Sequence, residues 1–387
     1  MSDNIKNKYG KTINFYSCGD STDVKTWSNV PYLFAQELEQ RGFKLNRINI
    51  EPNKRINRWF NRFSYMIFQR IFKRNACPVF ARTSFHRYLI HHKLRKTAKK
   101  YDAEASFNLF LSYAFRNQYS KLPSVLWCDW SDAIVIERIG REIKSYERES
   151  IKYETDVIKK ADVVYSMFPL CARQMSEKYQ RHIGYISGNV VNTLYDGRID
   201  IEAIIKRHVS SESILFIGNH RYLSGAKKLI DAVVELRQRG LNIYIDIIGM
   251  ERGAIPLTPD WVRFHGYLDK SDIKQRKKYY DLIFDSKALV NTTTGWSGYS
   301  SIIEAMYYAT PIIVYPFADF VEEFGSQIDF GSYCKDSDNL SDFILNLIQD
   351  KNYTDICRNG YQKVSSYTWH NYVDKFIQDI QNQGILI

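Results

Sequence analysis

The chain has 387 residues, which predicts two domains of roughly 150–200 residues each. A hydrophobic content of 44% and a charged content of 25% are typical of globular proteins and exclude an intrinsically disordered chain. No apolar run reaches the roughly 18 residues of a membrane-spanning helix, and the polar residues 1–11 do not resemble a signal peptide. Six scattered cysteines without metal-ligand spacing predict reduced thiols, so we expect a cytoplasmic protein.

The net charge of +11 is concentrated in one region. Residues 52–101 contain fourteen Lys or Arg and no Asp or Glu, interleaved with aromatic residues as in RWFNRFSYMIFQRIFKR. Such a segment indicates an anionic partner, which is a membrane surface, a nucleic acid or a phosphorylated acceptor. The alternative is the solvated face of an ordinary helix pair.

The first half of the chain alternates between strand and helix patterns. Strands are predicted at 12–18, 44–50, 124–130, 162–168 and 182–187. Helices are predicted at 28–41, across the basic segment 54–100, at about 138–160 and at 172–179. This alternation predicts a parallel, doubly wound α/β sheet.

The pattern starts again after a polar stretch at about 192–212, which we interpret as a linker. Strands are predicted at 213–218, 242–249, 262–266, 288–292 and 311–315, and an amphipathic helix at 225–240 ends at a glycine. We therefore expect a second α/β domain. Open α/β sheets bind ligands at the carboxyl ends of their strands, so we expect a cleft between the two domains.

The most informative stretch is NTTTGWSGYSSIIEAMYYATPIIVYP, residues 291–316. It predicts a glycine-rich loop that leads into a helix, with backbone N–H groups of Gly298, Tyr299, Ser300 and Ser301 at the helix N-terminus. Unpaired N–H groups and the helix dipole favour a phosphate there, and glycine lets a ligand approach the backbone closely. The alternative is a serine-capped helix with a capping-box acid at Glu304.

The order of these segments resembles that of the GT-B glycosyltransferases, most closely the large retaining family 4. In the second half the resemblance is carried by FIGNHRYLSGAKKLIDAV, IIGMERG, RFHGYLDKSDI, the stretch at 291–316 and the late SYTWHNYVDKFIQDI. Before residue 213 it is weaker, and it is carried by CGDSTDVKTWSNVPYLFAQELEQRGF and IKKADVVYSM.

The resemblance implies two Rossmann-like domains that face a central cleft. Residues 1–192, with the basic insert at about 52–101, would bind the acceptor, and residues 193–366 would bind a nucleotide-sugar. A C-terminal helix within 367–387 would return toward the first domain. The implied reaction is sugar transfer to a saccharide or lipid-linked acceptor, with retention and without a metal or other cofactor. The implied setting is bacterial surface polysaccharide synthesis at the inner face of the cell membrane.

The resemblance also implies a set of donor-binding residues. Glu304 matches the second acid of the family's Glu-x7-Glu motif and would bind the ribose hydroxyls. The first acid is replaced by Trp296, and the usual diphosphate-binding Arg and Lys are replaced by Asn219 and Ser224. Arg221 is the nearest replacement cation. The remaining expected donor contacts are Gly218, Lys228 and the residues of the loop after 291.

These departures leave two other functions open. One is an inactive sugar-binding or scaffolding relative, which the replacements at 219, 224 and 296 favour. The other is a nucleic-acid-binding protein, which only the basic segment favours; we do not expect nucleic acid as a partner.

Candidate catalytic residues in the first half follow predicted strands. They are Asp20 and Asp23, which come after Gly19, and Asp129. By resemblance, Asp129 would face the donor sugar, where a carboxylate can act as a base or stabilise positive charge. The alternative for Asp129 is a helix cap before Ser131.

The basic segment predicts an amphipathic helix. Arg55, Arg58 and Arg62 fall on one side, and an apolar stripe falls on another; the stripe is Ile56, Phe60, Phe63, Ile67 and Ile71. This pattern is typical of a helix that lies on an anionic bilayer. The alternative is that the stripe packs against the first domain and the cations are only solvated.

Overall fold

A computed structural model describes residues 10–73, 79–186 and 189–386, apart from the side chain of residue 146. The end of the strand predicted at 182–187 and the thiol of Cys77 lie outside the described residues. The chain divides into two compact units, one formed by Met1–Ser187 with Val373–Ile387 and the other by Gly188–Tyr372. That the first binds an acceptor and the second a donor stays a prediction.

The first unit contains a six-stranded sheet. Its strands are β1 (Thr12–Ser17), β2 (Lys44–Asn49), β3 (Ala105–Phe110), β4 (Ser124–Cys128), β5 (Val163–Ser166) and β6 (Gly184–Tyr185). They lie in the order β2-β1-β3-β4-β5-β6, and every pairing is parallel. The predicted α/β class is therefore confirmed for this unit.

Helices accompany this sheet within the described residues 10–73 and 79–186. They are α1 (Val30–Gln40), α2 (Lys54–Tyr65), α3 (Ser84–Tyr101), α4 (Asp132–Arg138), α5 (Ser145–Lys160) and α6 (Pro169–Tyr179). A π-helical turn (Met66–Ile71) extends α2, and 3₁₀ turns lie at Thr26–Asn29 and Phe80–Arg82. The helix predicted at about 138–160 is present as α5, but it begins later than predicted, because α4 ends at Arg138 and Gly140 takes a positive φ of 63° between the two helices.

The second unit also contains a six-stranded sheet. Its strands are β7 (Ser213–Ile217), β8 (Tyr244–Ile248), β9 (Val262–Phe264), β10 (Ala288–Asn291), β11 (Ile312–Val314) and β12 (Gly331–Tyr333). They lie in the order β12-β11-β10-β7-β8-β9, and every pairing is again parallel. Because β7 and β10 are neighbours, the loops that follow them lie side by side.

The helices of the second unit surround this sheet. They are α7 (Ile201–Ser210), α8 (Leu223–Gln238), α9 (Ile273–Phe284), α10 (Tyr299–Tyr307), α11 (Ala318–Phe324), α12 (Leu340–Gln349) and α13 (Tyr353–Val364), with 3₁₀ turns at His220–Tyr222 and Arg252–Ala254. The interpretation of 192–212 as a plain linker is wrong, because it contains α7. Asp200 caps that helix by accepting a hydrogen bond from the Ala203 N–H, and Ile204 and Ile205 are buried.

The last helix, α14 (Trp369–Asn382), begins in the second unit, and its residues from Val373 onward belong to the first. Within the first unit, the Phe376 ring packs 5.2 Å from the ring of Phe34. Asp374 forms an ion pair with Arg41 at 2.6 Å. No helix in the described part of the chain is long and apolar enough to cross a membrane.

Three asparagines on adjacent strands are hydrogen-bonded to one another across one side of the first sheet, from its edge strand β2 to β3. Asn14 of β1 is in register with Asn46 of β2 and Asn108 of β3. The Asn46 amide donates to Asn14 at 2.9 Å, and the Asn14 amide donates to Asn108 at 3.0 Å. Polar groups inside a sheet are tolerated when they are paired in this way. β3 is absent from the sequence-based assignment, although it lies in the middle of the sheet.

Candidate functional site

The loop after β10 and the start of α10 form the clearest candidate site. Gly298 is the N-cap residue of α10 and takes a left-handed conformation with φ of 60°. No side chain caps this N-terminus, so the alternative of a serine cap is wrong. The Ser301 hydroxyl donates to the Gly298 carbonyl at 2.8 Å, and the Ser300 hydroxyl accepts from the Asn192 amide at 3.1 Å. Tyr299 is buried, so only its backbone can serve a ligand.

The first turn of α8, which follows β7 in the chain, packs closely on this loop. A Cβ at Gly225 would lie 2.2 Å from the Thr293 hydroxyl, so only glycine allows the two segments to meet. The Asn291 amide donates to the Ile217 carbonyl at 3.3 Å. Gly218 is equally constrained, because a Cβ there would lie 2.7 Å from Tyr222 Cβ. Because these glycines lack a Cβ, the segments that follow β7 and β10 pack against each other and form one continuous surface.

A cation lies beside this surface. The Arg221 guanidinium lies over the Trp296 ring, 4.9 Å from its centroid, and both side chains are exposed. Asn219 does not offer its side-chain oxygen to a ligand, because that oxygen caps the 3₁₀ turn by accepting from the Arg221 N–H at 3.0 Å. Arg221 and the positive end of α10 together favour an anion.

The predicted donor contact Lys228 is engaged elsewhere. Its ammonium donates to the carbonyls of Lys335 and Asp336 at 3.0 and 3.2 Å, near the end of β12. These two contacts hold the cation on the backbone that follows β12. A role for Lys228 as a donor contact stays a prediction.

Glu304 is the sixth residue of α10, and its side chain is almost completely buried. The Lys270 ammonium donates to both of its oxygens at 2.8 Å. The Tyr279 hydroxyl donates to one oxygen at 2.9 Å, and the Tyr280 hydroxyl lies 3.2 Å from the other. A carboxylate has about four acceptor positions, and these contacts occupy all of them. Glu304 is therefore not open to a ribose in this structure, and its ribose role stays a prediction.

The residues around Glu304 were not found from the sequence. Lys270 lies 34 residues before it, and its cation also lies 4.0 Å from the Tyr279 ring centroid. Burial raises the pKa of Tyr279 and Tyr280 well above the ordinary value, and the nearby Glu304 charge raises both further. Both phenols therefore stay protonated and donate. The only local signal was a lysine in RFHGYLDKSDI, which no periodicity connects to α10.

The carboxylates after β1 stabilise a turn. Asp20 accepts from the Thr22 N–H at 2.9 Å and from the Thr22 hydroxyl at 2.8 Å, which lowers its pKa. Asp23 accepts from the Lys25 N–H at 2.9 Å. Gly19 takes a φ of 106°, and a Cβ there would lie 2.8 Å from a methyl group of Thr26. The contacts explain these residues as turn formers, and a catalytic role for Asp20 and Asp23 stays a prediction.

Asp129 follows β4 and is partly buried. It accepts from the Trp130 N–H at 2.8 Å and from the Cys128 thiol at 3.2 Å. Burial raises the pKa of Asp129 above the ordinary value of an aspartate. The alternative role as a helix cap is wrong, because Ser131 caps α4 by accepting from the Ile134 N–H at 3.3 Å.

The predicted apolar stripe of α2 is divided in the structure. Phe60 turns inward, with its ring 5.1 Å from the Phe80 ring, and Ile56 and Ile67 are half-buried. The outward face instead carries Trp59 and Phe63, whose rings stack at 5.5 Å, and Met66. The exposed cations Arg55, Arg58 and Arg62 lie on the same outward side of the helix. The stripe is therefore wrong as drawn, and a different aromatic face is exposed among the arginines.

No protein-family model and no curated protein matches the chain. Solved structures do match. A sucrose-phosphate synthase from Thermosynechococcus elongatus has a TM-score of 0.61 at 13% identity, covering 96% of this chain and 98% of that one. WaaG, a glycosyltransferase of lipopolysaccharide biosynthesis, has a TM-score of 0.61 at 10% identity, with coverages of 95% and 99%.

Anabaena HepE, solved in complex with UDP-glucose, has a TM-score of 0.59 at 14% identity, covering 96% of this chain and 99% of that one. The chain spans only about three-fifths of the length of TarM and of the GtfA/B complex chain, which it also matches. At these identities the likeness shows the fold. Two six-stranded parallel sheets with flanking helices confirm the predicted GT-B architecture.

Proposed function

We propose that the chain is a glycosyltransferase that moves a sugar from a nucleotide-sugar to a saccharide or lipid-linked acceptor. The observation that carries this proposal is the N-terminus of α10, which no side chain caps and whose preceding loop holds Trp296 against the exposed Arg221. A helix N-terminus with glycine at its cap and a nearby arginine suits a diphosphate. The fold shared with WaaG and HepE supports the same assignment.

In this proposal the donor diphosphate lies on the backbone N–H groups of the first turn of α10, and Arg221 neutralises part of its charge. The ribose diol would have to replace Lys270 on the oxygens of Glu304, since those oxygens are already occupied. Asp129 is the candidate acid–base residue, because a raised pKa brings a carboxyl closer to the working pH of a general base. Retention of configuration without a metal ion is part of the proposal, and it follows the family resemblance.

A nucleotide screen tests the proposal. We expect one of UDP, GDP, TDP, ADP and CMP to raise the melting temperature of the full chain, because a ligand that binds only the folded state stabilises it. UDP is the first choice, since HepE was solved with UDP-glucose. Release of free sugar from the matching nucleotide-sugar would then show catalysis. If no nucleotide shifts the melting temperature at millimolar concentration, the proposal is wrong.

A second candidate is a catalytically inactive relative that binds a nucleotide-sugar or a sugar. Trp296 replaces the family's first acid, and the Asn219 side chain caps a turn where the family has a cation. Nucleotide binding without any hydrolysis or transfer, across all five nucleotide classes, would favour this second candidate.

We also propose that α2 attaches the protein to the anionic inner face of a bacterial membrane. Trp59, Phe63 and Met66 are exposed between arginines, and each cation near an anionic surface contributes about 1 kcal/mol. We expect co-sedimentation with vesicles of anionic phospholipid, and we expect it to fall steeply as salt rises, because head-group attraction is screened.

The test compares two variants, each of which replaces three cations with glutamates, one on α2 and one on the second unit. Changing Arg55, Arg58 and Arg62 to Glu should abolish vesicle binding. Changing the exposed Lys274, Lys278 and Lys351 to Glu alters the net charge equally and should leave binding in place. Equal loss of vesicle binding in both variants would mean that net charge alone causes the attachment. A filter-binding assay with RNA and DNA tests the nucleic-acid alternative separately.

A further inference from the structure

The second unit holds the carboxylate of Glu304 in four hydrogen bonds. The Lys270 ammonium donates to both oxygens at 2.8 Å. The hydroxyls of Tyr279 and Tyr280 donate at 2.9 and 3.2 Å. One ammonium balances one carboxylate, and the phenols are neutral because burial raises the pKa of both. The cluster is therefore paired and electrically neutral, and the carboxylate has no acceptor position left for the hydroxyl of a ligand.

The proton of Tyr280 is committed to Glu304. The Tyr280 oxygen accepts a hydrogen bond from the Leu194 N–H at 2.6 Å and another from the Thr193 hydroxyl at 3.1 Å. These two bonds use the acceptor positions of the phenol, so its single proton is left to donate to Glu304. The segment at 193–194 thus holds the phenol in its donating orientation.

A tight turn aims Lys270 at the same carboxylate. The Asp272 N–H donates to the Asp269 carbonyl at 3.1 Å and closes the turn around Lys270. The Asp269 carboxylate accepts from the Ser271 N–H at 2.9 Å and from the Ser271 hydroxyl at 2.6 Å. Because the backbone on both sides of Lys270 is held by these bonds, the lysine can leave Glu304 only by moving its side chain.

Glu304 lies one turn beyond the part of α10 that would hold the donor diphosphate. Ser300 and Glu304 are four residues apart, so they share one face of the helix and are separated by about 6 Å along its axis. This separation is comparable to that between a phosphate and the ribose hydroxyls of the same nucleotide. A donor whose phosphate lies at Ser300 would therefore bring its ribose near Glu304.

A ribose hydroxyl could donate to this carboxylate only by displacing one of its present donors. Displacing Lys270 separates a buried ion pair, which is strongly unfavourable. The displaced ammonium would retain the face of the Tyr279 ring, whose centroid is 4.0 Å away, and a ring is a weaker partner than a carboxylate. The hydrogen bonds that the ribose gains are offset by this loss.

A missing hydroxyl, by contrast, leaves nothing unpaired at Glu304. Sites that reject an analogue without a hydroxyl do so because a buried polar group of the protein loses its partner. Here Lys270, Tyr279 and Tyr280 already satisfy the carboxylate. The structure therefore gives this site no means at Glu304 of rejecting a nucleotide that lacks the 2′-hydroxyl.

We propose that Lys270 removes the discrimination between ribose and deoxyribose, so that ribonucleoside and deoxyribonucleoside diphosphate sugars both serve as donors. The proposal rests on the proposed function and names the class of donor. Lys270 determines specificity through Glu304, because it occupies the acid that would otherwise bind the 2′-hydroxyl. The diphosphate and the base then supply the affinity, and TDP-sugars belong to the accepted donors.

The test compares UDP with 2′-deoxyuridine diphosphate, which differ only in the 2′-hydroxyl. Calorimetry on the unchanged full chain should give dissociation constants within about threefold of each other, which is less than the effect of one ordinary hydrogen bond. Lys270→Ala frees two acceptor positions and removes the side chain that covers the carboxylate. UDP should then bind at least about tenfold more tightly than its deoxy form, the effect of one hydrogen bond to a charged group. A purely structural lysine would lower the melting temperature without changing this ratio.

Two further variants serve as controls. Lys274→Ala, at an exposed position on α9, removes the same charge and should leave the ratio as it is in the unchanged chain. The double variant Lys270→Ala/Glu304→Gln removes the carboxylate as well and should return the ratio toward one. If Lys270→Ala does not fold, Lys270→Gln takes its place, because its amide can donate to one carboxylate oxygen and leave the other for the ribose.

Two results would overturn the proposal: a preference of the unchanged chain for UDP beyond that threefold range, or an unchanged ratio in a folded Lys270 variant. If neither variant folds, the ratio in the unchanged chain decides. Failure of the proposed function shows separately, as the absence of any nucleotide-induced melting shift in the unchanged chain and in every variant.

Discussion

The helices α4 and α10, which each follow a central strand of their sheet, differ in how their N-termini are capped. In the first unit, α4 is capped by the Ser131 hydroxyl, and the buried Glu154 carboxyl accepts from the Asp132 N–H at 3.0 Å. In the second unit, α10 begins at Gly298, and no side chain caps it. The positive end of α4 is therefore already occupied by a carboxyl of the protein, whereas no side chain caps that of α10. The same strand–loop–helix unit serves stability in one place and suits ligand binding in the other.

The buried glutamates of the two units differ in the same way. Among the described residues, no cation lies within hydrogen-bond distance of Glu154, and burial raises the pKa of Glu154 to about 8. Glu304 is paired with Lys270 and two phenols. The folded state therefore disfavours the charged form of Glu154, which lies at the N-terminus of α4. The charge of Glu304, in contrast, is neutralised by Lys270 and stabilised by two phenol hydrogen bonds. Four substitutions test this contrast.

The largest effect is expected at Glu304. Glu304→Gln leaves the Lys270 ammonium without its counter-charge, and removing one member of a buried ion pair costs about 3–5 kcal/mol. Chemical denaturation should show this loss in the free energy of unfolding. Glu323→Gln, on α11, is the control and should change stability by less than about 1 kcal/mol. A stable Glu304→Gln variant with weaker nucleotide binding would restore the ribose assignment in place of the structural one.

Glu154 should make stability depend on pH. Its pKa is raised from 4.5 to about 8 in the folded state, so the folded chain keeps a proton that the unfolded chain has lost. Stability from this group is therefore greatest below pH 4.5 and falls as pH rises toward 8, by about 2–4 kcal/mol. Glu154→Gln should flatten the melting-temperature profile between pH 5 and 8. An unchanged slope in that variant would show that Glu154 ionises normally.

Ser300→Asp should give α10 the character of α4. The new carboxylate can still accept from Asn192, but its charge would repel a phosphate at the same helix turn by about 2 kcal/mol. Calorimetry should show roughly thirtyfold weaker UDP binding and little change for uridine. The neutral control Ser300→Asn should bind UDP almost normally. Equal UDP affinity in both variants would place the phosphate elsewhere.

The smallest effect is expected at Arg221. Arg221→Ala should weaken a nucleoside diphosphate by about 1 kcal/mol and leave the nucleoside unaffected, because an exposed cation is screened by solvent. Lys227→Ala, an exposed residue on α8, is the control. Ser224→Lys, which restores the family pattern, should not harm binding. Equal losses for nucleoside and diphosphate would mean that Arg221 only supports its loop.

The alternation of strands and helices was readable from the sequence, because buried parallel strands form continuous apolar runs between amphipathic helices. Elements with mixed patterns were missed. β3 contains the buried Asn108, whose side chain is paired with Asn14 of another strand and with Ser120. α7 lies in a polar stretch, and its burial depends on packing against the rest of the second unit.

In the candidate site, too, local features were predictable from the sequence and contacts between distant segments were not. The glycine-rich loop and the start of α10 were predicted because backbone N–H groups, glycine φ angles and helix termini are local properties. The pairing of the Glu304 carboxylate with Lys270 and Tyr279 was not predicted, since these two residues come from other segments of the chain. The exposed face of α2 was predicted wrongly for a similar reason. A helical wheel shows which residues share a side, but the side that is buried depends on the contact between Phe60 and Phe80, which the wheel does not contain.

The sequence by itself determined the fold class, the glycine-rich loop and the concentration of positive charge, because each depends on residue type and spacing along the chain. Only the tertiary structure decided which helix N-terminus stays uncapped, which carboxylate is neutralised and which face of α2 meets solvent. Those outcomes depend on groups that are distant in sequence and adjacent in space, where burial and pairing set the free energy of each charge.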